Sequence, residues 1–135
     1  MAFDITKVSG LALKDSYELQ LKNPVSDELL FDEDGKPVTI TLYGKSSKPY
    51  RNAVTAMQNR ELRRMHKKDV RTAEQTLEES TSLLVACSAT STLEINGVAV
   101  NDKDTFKQLY NDPRFSWIRD QVDEAIGDQA NFLAV

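Results

Sequence analysis

The chain has 135 residues, 40% hydrophobic and 28% charged, with a formal net charge of −4 and one cysteine. That length suits one domain with its own core, the balance is that of an ordinary globular protein, and the lone Cys87 excludes an internal disulfide. No run of about 18 apolar residues is present to cross a membrane, and Met1 to Lys7 lack the basic and apolar regions of a secretory signal, so a reducing, cytosolic setting is expected.

Residues 1–16 read as a loosely held tail, with a short turn at Gly10-Leu11-Ala12-Leu13. Residues 17–44 read as the β part. Tyr17 to Lys22 alternates apolar and polar, the mark of a half-buried strand. Asn23-Pro24 stops it, because proline has no N–H for the ladder. Leu29-Leu30-Phe31 is a short second run, and Asp34-Gly35 supplies a turn pair that tolerates positive φ. Val38, Ile40 and Leu42 alternate with Thr39, Thr41 and Tyr43 as a stronger, β-branched strand. The N-terminal third therefore predicts a small antiparallel sheet with one buried face.

Residues 49–133 read as the mainly helical part. Ser47 or Ser46 caps a helix entered near Pro49. No Gly or Pro follows from Tyr50 to Arg71. On a helical projection Val54, Leu62 and Met65 share one face, while Arg60, Arg63, Arg64, Lys67 and Arg71 fall within an arc of about 100° on the opposite side, an amphipathic helix with a basic outer face. Thr72 to Ala89 continues helical, with Leu77, Leu84 and Val85 near one stripe and Leu83 and Cys87 near another. Whether residues 50–89 are one helix or two stays open. Thr90-Ser91-Thr92 is a polar break, and Leu93 to Val100 predicts a tiny hairpin around Asn96-Gly97. Asp102 or Asp104 caps a short helix bearing Phe106, Leu109 and Tyr110. Asp112-Pro113 opens the last helix, whose buried side carries Phe115, Ile118, Val122 and Ile126. Gly127 bends or ends it, and Phe132-Leu133 packs back on the core. The fold class is α+β, with one domain over residues 1–135.

Positive charge is concentrated in one stretch. Lys45 to Arg71 holds nine Lys and Arg against Glu61 and Asp69, net +7. Residues 1–44, 72–100 and 101–135 have net charges of −4, −4 and −3. Opposed patches of this kind steer association and set register between copies or partners. The basic helix reads as a solvated face, as a contact for an acidic patch on a partner, or as a nucleic-acid backbone contact. The last lacks groups that read bases.

No catalytic, cofactor-binding or metal-ligating residue is assigned. His66 is the only histidine and has no oriented partner to make it a general base. Cys87, among Leu84, Val85 and Ala86, reads as a small apolar filler. Clustered Cys and His for a tetrahedral metal site are absent. Gly35-Lys36 and Gly44-Lys45-Ser46 lack the earlier glycine of a phosphate loop. Asp32-Glu33-Asp34 lacks the spacing of a calcium loop and reads as a solvated turn; Asp120, Asp123 and Glu124 read as a polar helix face. Trp117 falls off the Phe115–Ile118–Val122 line and reads as core, or else as an exposed interface anchor.

Three stretches taken together resemble one family: Leu21 to Leu29, Val38 to Arg51, and Asn101 to Leu133 with Phe106, Leu109-Tyr110, Asp112-Pro113, Trp117-Ile118, Gln121-Val122 and Asn131-Phe132-Leu133. Their order of strand, glycine, small polar residues, Tyr-Arg, long charged helix and aromatic helical tail is similar to that of the tail assembly chaperones of long-tailed bacteriophages. The resemblance implies a non-enzymatic factor of the infected host's cytoplasm, without cofactor. It would coat the tape measure protein, recruit tail tube protein, self-associate, and leave no copy in the virion. It also implies a longer frameshifted form of the same chain. Contact residues do not carry over from the family. The charge and aromatic pattern itself nominates Arg60, Arg63, Arg64, Lys67, Arg71, Trp117 and Phe132 for protein interaction, with neither nucleic acid nor membrane as partner. A structural tail or head-completion protein and a small DNA-binding regulator are the alternative readings; the negative net charge and the missing helix–turn–helix glycine turn weigh against the second.

Overall fold

In the computed structural model, residues 2–7, 12–68, 70 and 72–133 are described. The predicted Tyr17 and Thr39 strands form as β1 (Ser16–Gln20) and β2 (Thr39–Tyr43), antiparallel, with Leu19 opposite Ile40 and Tyr17 opposite Leu42. Alternation along β2 buries Ile40 and Leu42 completely, as a strand with one face on the core requires. The long connection between them turns at Asp32, whose Oδ1 accepts from the backbone N–H of Asp34 and Lys36, each at 2.9 Å. Gly35 follows at φ 78°. The acidic triplet is thus a self-capped turn. Leu29 and Phe31 make only isolated bridges, to Lys22 and Pro37.

The sheet does not close within the N-terminal third. Its third strand, β3 (Ser88–Ser91), pairs with the far edge of β2 and carries a register shift between Thr41 and Leu42. The helix expected to reach Ala89 therefore ends at Ala86, and Thr90 and Ser91 of the expected polar break are strand. The cause is tertiary: an unpaired β2 edge beside the core would leave backbone groups unsatisfied. Instead Tyr43 N–H donates to Cys87 O and Thr92 N–H to Thr39 O, at 2.7 and 3.0 Å.

The charged segment resolves into two helices, α1 (Lys48–His66) and α2 (Ala73–Ala86). Ser47 caps α1, and Thr72 with Gln75 forms a reciprocal capping box on α2. The Asn-Gly hairpin is present as β4 (Glu94–Ile95) and β5 (Val98–Ala99), with Asn96 and Gly97 at φ 52° and 80°. α3 (Lys103–Asn111) starts on an Asp102–Thr105 capping box. Asp112-Pro113 opens a 3-10 turn at Pro113–Phe115, and α4 (Ser116–Gly127) follows it. The predicted turn at 10–13 falls partly outside the described residues. The fold is α+β.

The core lies between the buried face of the sheet and α2, α3 and α4. Leu21, Ile40 and Leu42 meet Leu84, Cys87, Val100, Phe106, Leu109, Tyr110, Ile118, Val122, Ala125 and Ile126. Two polar side chains pin α4 in place. Gln121 bonds both backbone groups of Lys22, at 2.9 and 2.8 Å, as a neighbouring strand would. Arg119 Nη1 donates to Thr81 Oγ1 at 2.6 Å and to Tyr110 O at 3.3 Å, tying α4 to α2 and α3.

At the C-terminal end a 3-10 turn (Gln129–Phe132) places Phe132 against Tyr17, ring centroids 5.8 Å apart. Lys14 N–H donates to Phe132 O. Gly44 lies under the same ring: a Cβ there would stand 2.7 Å from a ring carbon. Gly44→Ala is therefore expected to cost about 1–3 kcal/mol by overpacking, seen as a lower Tm in thermal denaturation. Gly127→Ala, where a Cβ meets no atom within 4 Å, should leave the Tm unlowered.

Candidate protein-interaction site

α1 is the helix least committed to the core. No residue of α1 is buried. A stripe of Ala53, Met57, Arg60 and Arg64, spaced by three or four residues, faces α2. Opposite it stand Glu79, Ser82 and Leu83. The two helices therefore meet through charge as much as through apolar packing.

Glu79 is the centre of that contact and its side chain is only 8% exposed. Arg60 grips it with two donors, Nε to Oε1 at 2.8 Å and Nη2 to Oε2 at 2.6 Å. Arg64 adds Nη2 to Oε1 at 3.0 Å and holds Glu61 through Nη1 at 2.9 Å. The Arg60 hydrogen bonds, joined by those of Arg64 and opposed by burial, hold the Glu79 carboxyl down at about 2. A forked guanidinium on a carboxylate fixes geometry as well as charge. The clasp thus sets the register of α1 on α2.

This arrangement inverts the expected face of α1. Arg60 and Arg64, read from the sequence as outward, point at α2 and are spent on Glu79. Leu62 and Met65, read as the apolar side, are 56% and 67% exposed. The reason is that α2 offers a carboxylate where α1 lands, so the cations outcompete the apolar residues for that contact. Glu79, on the Ser82–Leu83 stripe of α2, was the signal in the sequence: an acid on a helix face opposite a basic helix.

What remains outward is mixed. Arg63, His66, Lys67 and Lys68 are exposed, as are Leu62 and Met65, and Val70 follows at 87% exposure. Arg63 and Lys67 have no ion pair among the described residues. Arg71 lies outside the described residues. Trp117 is half-buried and packs against the core. Phe132, nominated for interaction, is 2% exposed and occupied with Tyr17 and Gly44, so it presents no surface to a partner in this conformation.

The groups weighed for chemistry take ordinary places. Cys87 is fully buried at the C-cap of α2, and burial pushes its thiol up to about 11, so it stays protonated at neutral pH. Ser88 Oγ and Tyr110 OH share a 2.6 Å hydrogen bond, while burial pushes the Tyr110 phenol up to about 12. Among the described residues no group of three or more His, Cys, Asp or Glu could hold a metal ion, and no helix is long and apolar enough to cross a membrane. Comparison with protein-family models, with curated proteins and with solved structures gives no match.

Proposed function

We propose that this chain is a tail assembly chaperone of a long-tailed bacteriophage. It acts in the cytoplasm of the infected host, without bond-making chemistry, by holding the tape measure protein soluble and recruiting tail tube protein to it. It associates with its own copies and with a longer frameshifted form, and leaves before the virion is complete. The observation that carries this reading is the solvent-facing surface of α1 and its C-terminal end, where Leu62 and Met65 stand exposed on one side and Arg63 and Lys67 on another. A chaperone for a long helical client needs many weak, reversible contacts, and exposed apolar residues on one side of a helix with exposed cations on another supply them. Avidity along the client then multiplies a modest affinity per copy.

Co-expression with the tape measure protein tests it. The wild-type chain should keep that protein soluble and co-purify with it. Arg63→Glu/Lys67→Glu should lower the co-purified client about tenfold, the equivalent of about 1.4 kcal/mol per complex, and leave the circular dichroism unchanged. Recovery of the chain as a stoichiometric part of purified virions supports a structural tail component instead. Steeply salt-dependent binding to duplex DNA, with no tail protein bound, overturns the proposal.

A further inference from the structure

We propose that the free edge of β1 takes up an extended, basic segment of another protein as a fourth strand of the sheet. This surface lies on β1 and α4, away from α1, and does not rest on the reading above.

The ladder decides which backbone groups are free. Gly44 N–H donates to Asp15 O and Leu21 N–H to Val38 O, both at 2.9 Å. The odd-numbered residues of β1 therefore bond to β2, and the even-numbered ones turn their N–H and C=O outward. Among the described residues the chain covers this outward edge only at its two ends. At one end Gln121 bonds both backbone groups of Lys22; at the other Phe132 O accepts from Lys14 N–H. Between them the N–H and C=O of Ser16, Glu18 and Gln20 have no partner among the described residues. The open stretch, Ser16 to Gln20, is about 17 Å long. An uncovered edge of this kind is a template for another strand.

α4 makes the edge into a groove. Gln121, Glu124, Ala125 and Asp128, at i, i+3, i+4 and i+7, form one stripe along the side of the helix that faces β1. The space between strand and stripe has a volume of about 640 Å³. An extended peptide laid there gains main-chain hydrogen bonds from the strand and side-chain contacts from the helix. A helical occupant would leave the outward backbone groups of β1 unused.

Charge selects the occupant. Glu18, Asp27, Glu124 and Asp128 line the groove against one cation, Lys22. None of them has an ion pair among the described residues. Asp128 Oδ1 accepts from Ala130 N–H at 3.1 Å, which leaves Oδ2. Lys or Arg side chains on the added strand offset this excess, because opposite charges on neighbouring strands attract. A second copy offers the wrong charge. Two β1 edges paired antiparallel about the middle of the open stretch set Glu18 opposite Glu18, a like-charge pair that disfavours the contact. The chain's own basic stretch, residues 45–71, is taken up mostly by the helix α1 and does not supply an extended strand.

Titration of the full chain with the blocked pentapeptide acetyl-Lys-Val-Lys-Val-Lys-amide, followed by NMR of the backbone amides, tests this. The peptide should bind with a dissociation constant below about 1 mM and shift the amides of Glu18 and Gln20 most. Its counterpart with glutamate in place of lysine should bind at least about 30-fold more weakly. N-methylation separates an added strand from charge attraction alone. Successive N–H groups of a strand point to opposite sides, so a methyl on the central lysine or on the valine after it should weaken binding about tenfold in one peptide and hardly at all in the other. In the protein, Glu18→Pro removes an outward N–H and a carboxylate at a position where an edge strand accepts proline, and should lower the affinity at least about 30-fold. Should that variant unfold, Glu18→Lys/Glu124→Lys, at two exposed positions, should lower it at least about tenfold. No binding of the lysine peptide, equal binding of the glutamate peptide, or equal effects of the two methyl groups overturns the added strand. A wild-type dimer that Glu18→Pro abolishes makes a second copy the occupant and overturns the proposal as well.

Discussion

Glu79→Gln should free α1 while the core stays folded. The substitution keeps the shape and one acceptor but removes the charge that Arg60 and Arg64 share. Arg60 is 42% exposed and finds water when released; Arg64, at 17%, finds less. The expected loss is about 2 kcal/mol, the range for hydrogen bonds to a charged group and below the penalty of a fully buried broken pair. Because α1 has no buried residue, little else holds it, and the loss falls on local opening of the hairpin. Hydrogen exchange should show protection in the middle of α1 reduced about 30-fold, with the β2 amides near wild type. Equal loss in α1 and β2 would mean that the clasp supports the whole fold; no loss in α1 would mean that helix packing alone suffices.

The same group gives the hairpin an acid limit. The Glu79 carboxyl has a lower pKa folded, about 2, than its ordinary value of 4.5. A depressed carboxylate contributes stability that is fully present above the unfolded pKa and disappears as pH falls through the folded one. Protection of α1, corrected for intrinsic exchange, should therefore hold from neutral pH to about 4.5 and decline between that value and about 2. In Glu79→Gln this decline should be absent. The position of α1 thus rests in good part on one carboxylate of α2, and the hold on the helix that bears Leu62 and Met65 should weaken as that carboxylate is protonated.

Local chemistry explains which parts of this arrangement were legible in the sequence. The β2 alternation, the Ser47 and Asp102 caps, the Asn96-Gly97 hairpin and the Ile118–Val122–Ile126 side of α4 follow from period, cap and turn rules, and the structure has each of them. β3 was hidden because Ser88-Ala89-Thr90-Ser91 has no apolar alternation; it is a strand because β2 has an edge to fill. The face of α1 departs from its sequence pattern for a related reason. Amphipathic patterning assumes that the apolar side turns inward, and here the inward side is chosen by Glu79 on another helix. Trp117 is half-buried against the cluster, between the core and interface readings that its spacing left open.

Phe106→Ala should have the largest effect of any single change considered. Phe106 is 1% exposed and stacks on Tyr110, ring centroids 5.9 Å apart and 26° between planes. Removing a buried phenyl ring costs about 3–5 kcal/mol in lost burial and residual cavity, against about 5–15 kcal/mol for the total stability of a typical domain. The Tm should fall by roughly 10–20 °C. α3 bears the strain first, because Phe106, Leu109 and Tyr110 are its only buried residues and sit on one face. A Phe106→Ala protein should therefore lose hydrogen-exchange protection in α3 before β2, whereas Leu77→Asp, at a residue 57% exposed, should leave the Tm nearly unchanged. A Phe106→Ala chain that loses protection equally in α3 and β2 would mean that α3 opens only with the whole fold.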